Sequence, residues 1–267
     1  MSKTIFITGA SSGLGKATAK LFQSKNWNVI ATMRNPENET ELSQLENITL
    51  LPLDVSNLEQ IESTVEKAIA LHSIDVVLNN AGYGLMGALE GLSDEKIMRQ
   101  FNTNLLGVLR VTKAFIPHFR GKKSGLFIST TSIGGFMGFP LHSIYHATKF
   151  ALEGWSESMS FELGKFGIGI KTVAPGGILT DFIGRSLDMN THPEYQEIEN
   201  KLLGAIEEAL KSASTAEQIA DIVYEAATDG KSQVRYLAGA DAHMLYARRL
   251  QIGKEAFIKE IGKQFAG

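Results

Sequence analysis

A tyrosine and a lysine four positions apart, Tyr145 and Lys149, are the side chains in this sequence best suited to acid–base chemistry. They open a stretch with a helical pattern of apolar residues, and side chains at i and i+4 share one helical face. An unperturbed tyrosine is a poor acid or base at neutral pH because its pKa is ~10. A neighbouring ammonium favours the phenolate and lowers that pKa. The pair therefore predicts a tuned phenol that exchanges a proton with a substrate oxygen.

A second segment suited to chemistry is the glycine-rich run Thr8–Gly15, which reads TGASSGLG. It follows a β-branched apolar stretch and leads into a helical pattern. Glycines let the backbone turn sharply and approach an anion, and a helix N-terminus offers unpaired N–H groups and partial positive charge. The run predicts a site for the pyrophosphate of a dinucleotide; a turn needed only for packing is the alternative. Its GxxxGxG spacing differs from GxGxxG, and the GK[ST] of a P-loop is missing.

The elements around these motifs alternate between short apolar strands and longer amphipathic helices. Such strands are typical of a parallel sheet that helices cover on both faces. The sequence predicts an α/β, Rossmann-type doubly wound sheet in one domain over residues 1–267. Within it, about 181–214 is expected to cover a substrate and about 238–267 to be a C-terminal extension. Capping-box spacing predicts helix starts at Ser56 with Glu59 and at Thr215 with Gln218.

Composition excludes several classes of function. The 267 residues carry a net charge of −3, which gives no basic surface for nucleic acid. The chain has no cysteine, which excludes disulfides and thiolate chemistry and suits a cytoplasmic protein. We expect no signal peptide and no membrane span, because no uncharged apolar run reaches ~18 residues.

Two other active-site interpretations are weaker. His142 and His146 are also four residues apart, but no HExxH pattern accompanies them, so no metal site is predicted. Ser132 could be read as a hydrolase nucleophile, but the GxSxG elbow is absent around it.

Taken together, the motifs resemble the short-chain dehydrogenase/reductase family in its compact single-domain branch. The resemblance covers roughly two thirds of the chain. It implies a sheet of about seven strands, a nicotinamide dinucleotide, and a homodimer or homotetramer joined through helices near 93–120 and 143–166. The motifs that carry it, in chain order, are Thr8–Gly15, Asp54-Val55, Asn79-Asn80-Ala81-Gly82, Asn104, Ser132, Tyr145-xxx-Lys149 and Pro175-Gly176.

The resemblance implies a catalytic set of four residues. Tyr145 would be the acid or base, and Lys149 would also bind the nicotinamide ribose. Ser132 would hold and polarise the substrate oxygen, with Ser129, Thr130 and Thr131 as rivals for that role. Asn104 would position a water near the lysine, with Asn102 as its rival.

The cofactor is expected to be NADP(H), with NAD less favoured. Met33 stands where the family's NAD-users carry an acid, and Arg34 beside it could pair with a 2′-phosphate. Arg34 could alternatively be a solvated charge on a loop. Asp54 could instead serve in a turn or as a helix cap, and Asn79 could have a purely structural role. The residues expected to contact the dinucleotide are Gly9, Ser11, Ser12, Gly13, Leu14, Gly15, Arg34, Asp54, Val55, Asn80, Ala81, Gly82, Tyr145, Lys149, Pro175, Gly176, Ile178 and Thr180.

These observations favour an NADP(H)-dependent enzyme that interconverts a carbonyl and an alcohol in a small to mid-sized, fairly apolar substrate. Apolar residues at 135–141 and at Tyr83, Leu85 and Met86 are expected to line the cleft, with ordinary core as the alternative. A non-catalytic NADP(H)-binding regulator is the alternative function, although a sensor has no use for a proton donor. An enoyl reductase is disfavoured because that branch separates the tyrosine and lysine by more residues.

Overall fold

Seven parallel strands form the centre of the computed structural model, which describes residues 2–179 and 187–265. They are β1 (Thr4–Thr8), β2 (Asn28–Met33), β3 (Ile48–Pro52), β4 (Val76–Asn79), β6 (Gly125–Thr130), β7 (Ile168–Pro175) and β11 (Arg235–Ala238). Their order across the sheet is β11-β7-β6-β4-β1-β2-β3. The predicted fold class, with about seven strands, is therefore confirmed. Two short parallel pairs lie outside this sheet: β5 (Gly84–Met86) with β9 (Leu187–Met189), and β8 (Ile178–Leu179) with β10 (Ser214–Thr215).

Helices cover both faces of the sheet. They are α1 (Gly13–Ser24), α2 (Leu58–Leu71), α3 (Asp94–Phe101), α4 (Gly107–Lys122), α5 (Ser143–Gly164), α6 (Gln196–Leu210), α7 (Ala216–Thr228), α8 (Ala240–Ile252) and α9 (Lys254–Phe265). Side chains alternate along β1, so that Ile5 and Ile7 pack with α1 and α7 while Phe6 packs with α2 and α4. Both faces are therefore apolar, which explains the nearly continuous apolar character of the strands.

The connections leave β1 and β4 towards opposite sides of the sheet, although the two strands are neighbours. Ligands of open parallel sheets bind at such a reversal, beyond the carboxyl ends of the strands. The end of β1 carries the glycine-rich turn, and the end of β4 carries the Asn79–Gly82 segment. The topology thus brings the two motifs together.

One of the two predicted capping boxes is confirmed. The Thr215 hydroxyl accepts the Gln218 N–H at 3.2 Å, and the Gln218 side chain accepts the Thr215 N–H at 2.9 Å. The box predicted at Ser56 is wrong by one residue, because Asn57 caps α2 by accepting the N–H of Gln60 at 3.0 Å. Ser56 instead donates its hydroxyl to Asp54 at 2.6 Å.

The segment expected to cover a substrate is described only from residue 187 onwards. Within it, β9 pairs with β5, and Leu202 of α6 packs against Met86 and against Phe265 of α9. The tail and this segment therefore close over one end of the sheet. None of the helices in the described ranges has the length and apolar character needed to cross a membrane.

A buried ion pair lies beside β7, next to the edge strand β11. The Lys171 ammonium donates to Asp229 Oδ1 at 2.6 Å, to the Ala226 carbonyl at 2.8 Å and to the Tyr236 hydroxyl at 3.1 Å. The two charged side chains are 6% and 7% exposed. Hydrogen bonds from Lys171 and Tyr236 overcome the cost of burial and lower the pKa of Asp229 to about 2. This cluster holds β7 and β11 together just before both strands reach the candidate site.

We predict that Asp229→Asn lowers the free energy of unfolding by about 3 kcal/mol, because it leaves the buried Lys171 ammonium without its counter-charge. Urea unfolding at neutral pH measures the loss. The wild-type contribution is present above the unfolded pKa of ~3.9 and disappears as pH falls through the folded value of about 2. The difference between the two proteins should therefore shrink in acid.

Glu208→Gln is the matched control, because it removes the carboxylate of an ion pair with Lys211 whose side chains are 74% and 70% exposed. Solvent screening makes such a pair nearly neutral for stability. Equal unfolding midpoints for wild type and Asp229→Asn would show that the buried pair does not stabilise the sheet edge.

Candidate active site

Most of the predicted site residues within the described ranges follow the carboxyl ends of six neighbouring strands. The others lie on helical segments, namely Asn104 between α3 and α4, and Tyr145 and Lys149 on α5. The glycine turn follows β1, Arg34 follows β2, and Asp54 and Val55 follow β3. Asn80–Gly82 follow β4, and Ser132 follows β6. Pro175 and Gly176 lie at the end of β7, with Ile178 in β8. Thr180 lies outside the described residues.

The glycine turn has the backbone of an anion site. Gly9 and Gly13 have φ values of +69° and +52°, a region that side chains disfavour. Ser12 stands at the N-cap of α1 in an extended conformation, makes no capping bond, and no acidic residue occupies the first turn. The first N–H groups of α1 are thus left for an anionic ligand, as the resemblance implies.

Gly15 holds this turn close to the neighbouring strand end. A Cβ atom at Gly15 would lie 2.6 Å from Asn80 Nδ2 and would overlap the Gly9 carbonyl. A Cβ at Gly9 would lie 2.8 Å from Ala81 Cα. The two glycines therefore permit the contact between the turns after β1 and β4, and Gly15 is a packing residue within the predicted cofactor set.

Asn80 is fully used in joining three strand ends. Its side-chain amide donates to the carbonyls of Thr8 and Gly9 at 3.2 and 3.1 Å, and its carbonyl accepts the Thr130 hydroxyl at 3.3 Å. Its backbone N–H donates to the Thr8 hydroxyl at 2.9 Å. Asn79 has the structural role left open for it, since its buried amide donates to Thr112 at 3.0 Å.

The ends of β2 and β3 hold the residues expected near the adenosine. Met33 is 3% exposed, whereas Arg34 is exposed and makes no ion pair within the described residues. Asp54 Oδ1 accepts the N–H of Ser56 at 2.9 Å, which is the turn role left open for it. Val55 is buried, and a Cβ at Gly107 would lie 2.9 Å from its Cγ2.

Ser132 lies beside the phenol of Tyr145, where its side chain lowers the pKa of that group. Ser132 caps the short helix Ile133–Gly135, and its Oγ accepts the Gly134 N–H at 3.0 Å, which fixes the hydroxyl. Of its rivals, Thr130 bonds Asn80 and Thr131 donates to the Val173 carbonyl at 3.2 Å. The structure thus places Ser132 beside the phenol, while two of its rivals, Thr130 and Thr131, make hydrogen bonds elsewhere.

Burial around the hydroxyl raises the pKa of Tyr145, and the Ser132 side chain only partly offsets this. The expectation that Lys149 lowers the pKa is therefore wrong for the protein alone. The Lys149 Nζ lies 5.6 Å from the centre of the Tyr145 ring and donates to the Thr130 carbonyl at 2.8 Å. Burial lowers the pKa of Lys149 to about 8, so its positive charge near the phenol is incomplete in mildly basic solution.

Asn104 lies in a single π-helical turn, Asn102–Leu106, between α3 and α4. π-Turns occur frequently at functional sites. Both polar atoms of the Asn104 side chain contact Tyr83: Oδ1 accepts its N–H at 3.1 Å, and Nδ2 donates to its carbonyl at 2.8 Å. The side chain thus anchors the segment after β4, and a water near Lys149 would have to be held by other atoms of this turn.

The two histidines beside the tyrosine are neutral. Burial lowers the pKa of His146 to about 3, and its Nδ1 accepts the Phe139 N–H at 3.3 Å. Burial also lowers the pKa of His142, whose Nδ1 lies 2.9 Å from the Pro140 carbonyl. No group of three or more potential metal ligands occurs in residues 2–179 or 187–265.

The apolar residues predicted to line the cleft divide into two groups. Leu85, Met86 and Met137 are at most 2% exposed and belong to the core, so their assignment to a pocket wall is wrong. Phe139 and Leu141 are half-buried on the approach to α5. The sequence pattern could not separate core positions from cleft positions. The strand β5, which buries Leu85 and Met86, has only three residues and is too short to show a periodic pattern.

Sequence reasoning missed Asp241, which holds the turn after β7. Its Oδ2 accepts the Gly177 N–H at 2.6 Å, and its carboxylate occupies the space that a Cβ at Gly176 would need. Its Oδ1 is buried without a partner among the described residues. The only local signal was an acidic residue in the first turn of α8, and its target lies 64 positions earlier in the chain.

Comparison with known proteins identifies the family. A family profile described as "short chain dehydrogenase" matches residues 3–190. The chain is a member of the short-chain dehydrogenase/reductase family. An uncharacterised oxidoreductase of Schizosaccharomyces pombe strain 972 is 39% identical over 233 residues, which are 87% of this chain and 99% of that protein.

Solved structures of this family have the same architecture. A short-chain dehydrogenase from Streptomyces avermitilis superposes with a TM-score of 0.87 at 28% identity, covering 98% of this chain and 96% of its own. ElxO with NADP bound gives a TM-score of 0.77 at 28% identity, covering 89% of this chain and 97% of its own. The family assignment makes an oxidoreductase activity the expectation for this site.

We predict that Gly15→Ala destabilises the protein by about 2 kcal/mol and abolishes measurable NADPH binding, because the added methyl group separates the two turns. Thermal unfolding and NADPH fluorescence titration measure the two effects. Gly204→Ala in α6 is the control, since nothing lies within 4 Å of its Cβ position. It should be neutral or stabilising by up to about 1 kcal/mol. Unchanged NADPH affinity in Gly15→Ala would argue against a dinucleotide at this turn.

Proposed function

We propose that this protein is an NADP(H)-dependent oxidoreductase that interconverts a carbonyl and an alcohol, with Tyr145 as the acid or base. The observation that supports it most directly is the placement of the Ser132 side chain beside the Tyr145 phenol at the carboxyl edge of the sheet. Lys149, with its ammonium near the same ring, completes the set. A substrate oxygen that accepts hydrogen bonds from both hydroxyls would be oriented and polarised together.

The raised pKa of Tyr145 keeps the phenol in its acid form. At neutral pH the phenol stays protonated, and this is the form that donates a proton to a carbonyl oxygen as it becomes an alcohol. Ser132 is held by the Gly134 N–H and is therefore preorganised to bind the same oxygen. His142 and His146 are neutral and leave the proton-donor role to the tyrosine.

The residues around the edge of the sheet suit a dinucleotide. The uncapped N-terminus of α1 would bind the pyrophosphate, and Lys149 would bind the nicotinamide ribose. Asp54 and Val55 would contact the adenine, while Pro175, Gly176, Ile178 and Thr180 would contact the nicotinamide end. When bound, the reduced nicotinamide supplies the hydride that reaches the carbonyl carbon.

Arg34 supports NADP(H) in preference to NAD. Its guanidinium is exposed at the end of β2 and is not neutralised by an ion pair within the described residues. The carboxylate that would bond a ribose 2′-hydroxyl is replaced by the buried Met33. That ElxO binds NADP in a similar fold supports the same choice.

The surface of the helices supports self-association. Met98 of α3 and Phe150 and Phe161 of α5 are 50%, 43% and 77% exposed. Contiguous exposed apolar patches mark interaction surfaces, and these three side chains would contribute to one on α3 and α5. We propose that the chain forms a homodimer or homotetramer through these helices.

The function is tested by Tyr145→Phe. We expect the rate of NADPH oxidation with a panel of apolar aldehydes and ketones to fall by at least ~100-fold, because the proton donor is removed. Absorbance at the NADPH band measures the rate. Tyr224→Phe is the matched control, since this tyrosine packs on Phe22, on the opposite face of the sheet from α5, and should keep wild-type turnover.

NADPH binding should be nearly unchanged in Tyr145→Phe, because the aromatic ring is retained. Equal turnover in the variant and the wild type would exclude the proposed role of the phenol. Tight NADPH binding by a wild-type protein that reduces no member of the panel would instead favour the regulator that binds the dinucleotide without turnover.

The cofactor choice is tested by Arg34→Ala. We expect the KM for NADPH to rise by about 10- to 100-fold, the value of one charge-assisted hydrogen bond, and the KM for NADH to change little. Arg120→Ala is the control, because this exposed arginine lies near the end of α4, beside the amino end of the sheet. Parallel changes in both KM values would rule out a specific contact between Arg34 and the 2′-phosphate.

A further inference from the structure

A third functional group lies on the same face of α5 as the tyrosine and lysine. Tyr145, Lys149 and Glu153 are spaced at i, i+4 and i+8, so successive turns bring a phenol, an ammonium and a carboxylate into line. Glu153 is 4% exposed, which is rare for a glutamate without a role for its charge. The proton-transfer set proposed above does not use it.

Hydrogen bonds hold the Glu153 carboxylate in place. Its Oε2 accepts hydrogen bonds from the Thr172 hydroxyl at 3.2 Å and from the Arg235 Nε–H at 3.2 Å. Burial raises the pKa of the Glu153 carboxyl, and these bonds oppose that rise. Its Oε1 is buried and has no hydrogen-bond partner among the described residues. The turn after Ser132 packs on this side chain, since a Cβ at Gly135 would lie 3.0 Å from Glu153 Cγ.

The charges around Lys149 make Glu153 its effective counter-charge. Lys149 is 7% exposed, and none of the described carboxylates lies within ion-pair distance of it. Burial favours its neutral form, and the negative charge of Glu153 opposes this by raising the pKa. The remaining charged groups facing this region are the cations Arg235, Arg249 and Lys254, which line one cavity with Glu153, and Glu157, which pairs with Arg235.

The cations on α3 and β7, two other elements packed against α5, are already paired elsewhere. Lys96 and Arg99 of α3 both contact Asp188, and Lys171 of β7 points to the opposite face of the sheet, where it bonds Asp229. These cations therefore do not pair with Glu153.

We propose that Glu153, whose negative charge Arg235 stabilises, is a positioning residue that keeps the Lys149 amine protonated. Arg235 lies on β11, the last strand of the chain, and bonds the buried Glu153 carboxylate. Through Glu153 it would influence the charge of Lys149, which lies beside Tyr145. The effect of Glu153 and Arg235 on Lys149 does not depend on the function proposed above. Only its consequence for turnover rests on that function.

The experiment measures the protonation of Lys149 directly and without turnover. Trace acetic anhydride reacts only with neutral amines, and peptide mass spectrometry of protein labelled across a pH series gives the pKa of Lys149. We expect Glu153→Gln to lower this pKa by about one unit, because an opposite charge nearby is lost while the shape is kept. Arg235→Gln should lower it in the same direction, because the Glu153 carboxyl then loses a hydrogen bond and a positive charge that oppose the effect of burial on its pKa.

Glu157→Gln is the matched control. It removes the other carboxylate bonded to Arg235, but this side chain is 53% exposed, so the pKa of Lys149 should stay at its wild-type value. The alkaline limb of the NADPH-oxidation rate should move to lower pH in Glu153→Gln and Arg235→Gln and stay in place in Glu157→Gln.

An unchanged pKa of Lys149 in both Glu153→Gln and Arg235→Gln would overturn the proposal, as would an equal shift in Glu157→Gln, which would indicate a general surface-charge effect. If Glu153→Gln fails to fold, the pKa of Lys149 in Arg235→Gln alone tests the proposal. The Arg235 side chain is 42% exposed, so its replacement should not prevent folding. A lowered pKa of Lys149 in a protein that reduces no carbonyl would uphold this proposal and refute the proposed function.

Discussion

The contact between the turns that follow β1 and β4 is the constraint on which the site depends. Gly9 and Gly15 let the two backbones touch, and the Asn80 side chain then bonds across three strand ends. Without this contact the N-terminus of α1 would not face the same space as the residues after β4 and β6. The sheet order makes the contact possible, since it places β1 beside β4, and the glycines set its distance.

Burial determines the electrostatic character of the site more than direct pairing does. The phenol of Tyr145 is held in its acid form, and the pKa of the Lys149 amine is lowered to about 8, because burial removes water from both groups. A buried carboxylate behind the lysine and an arginine at the surface counter this tendency. Acid–base strength at the edge of the sheet thus depends on side chains well outside the reacting atoms.

The sequence patterns predicted the central sheet because buried parallel strands are apolar on both faces, as Phe6 and its neighbours in β1 show. Local motifs likewise predicted the glycine turn and the pairing of Tyr145 with Lys149. The contacts of Asp241 and Glu153 could not be predicted, because their partners are distant in sequence. The direction of the Tyr145 shift was also missed, since desolvation depends on the complete packing around a group and not on its helical neighbour.

The bond between Asp241 and the Gly177 N–H joins the tail of the chain to the turn after β7. Gly176 has no side chain, so the Asp241 carboxylate packs directly against its backbone. A shift of α8 would therefore move the turn as well. The position of α8 therefore helps to set the position of the turn at one end of the cleft. Relatives with tails of different length or packing could retune that end of the cleft while every residue of the acid–base set stays the same.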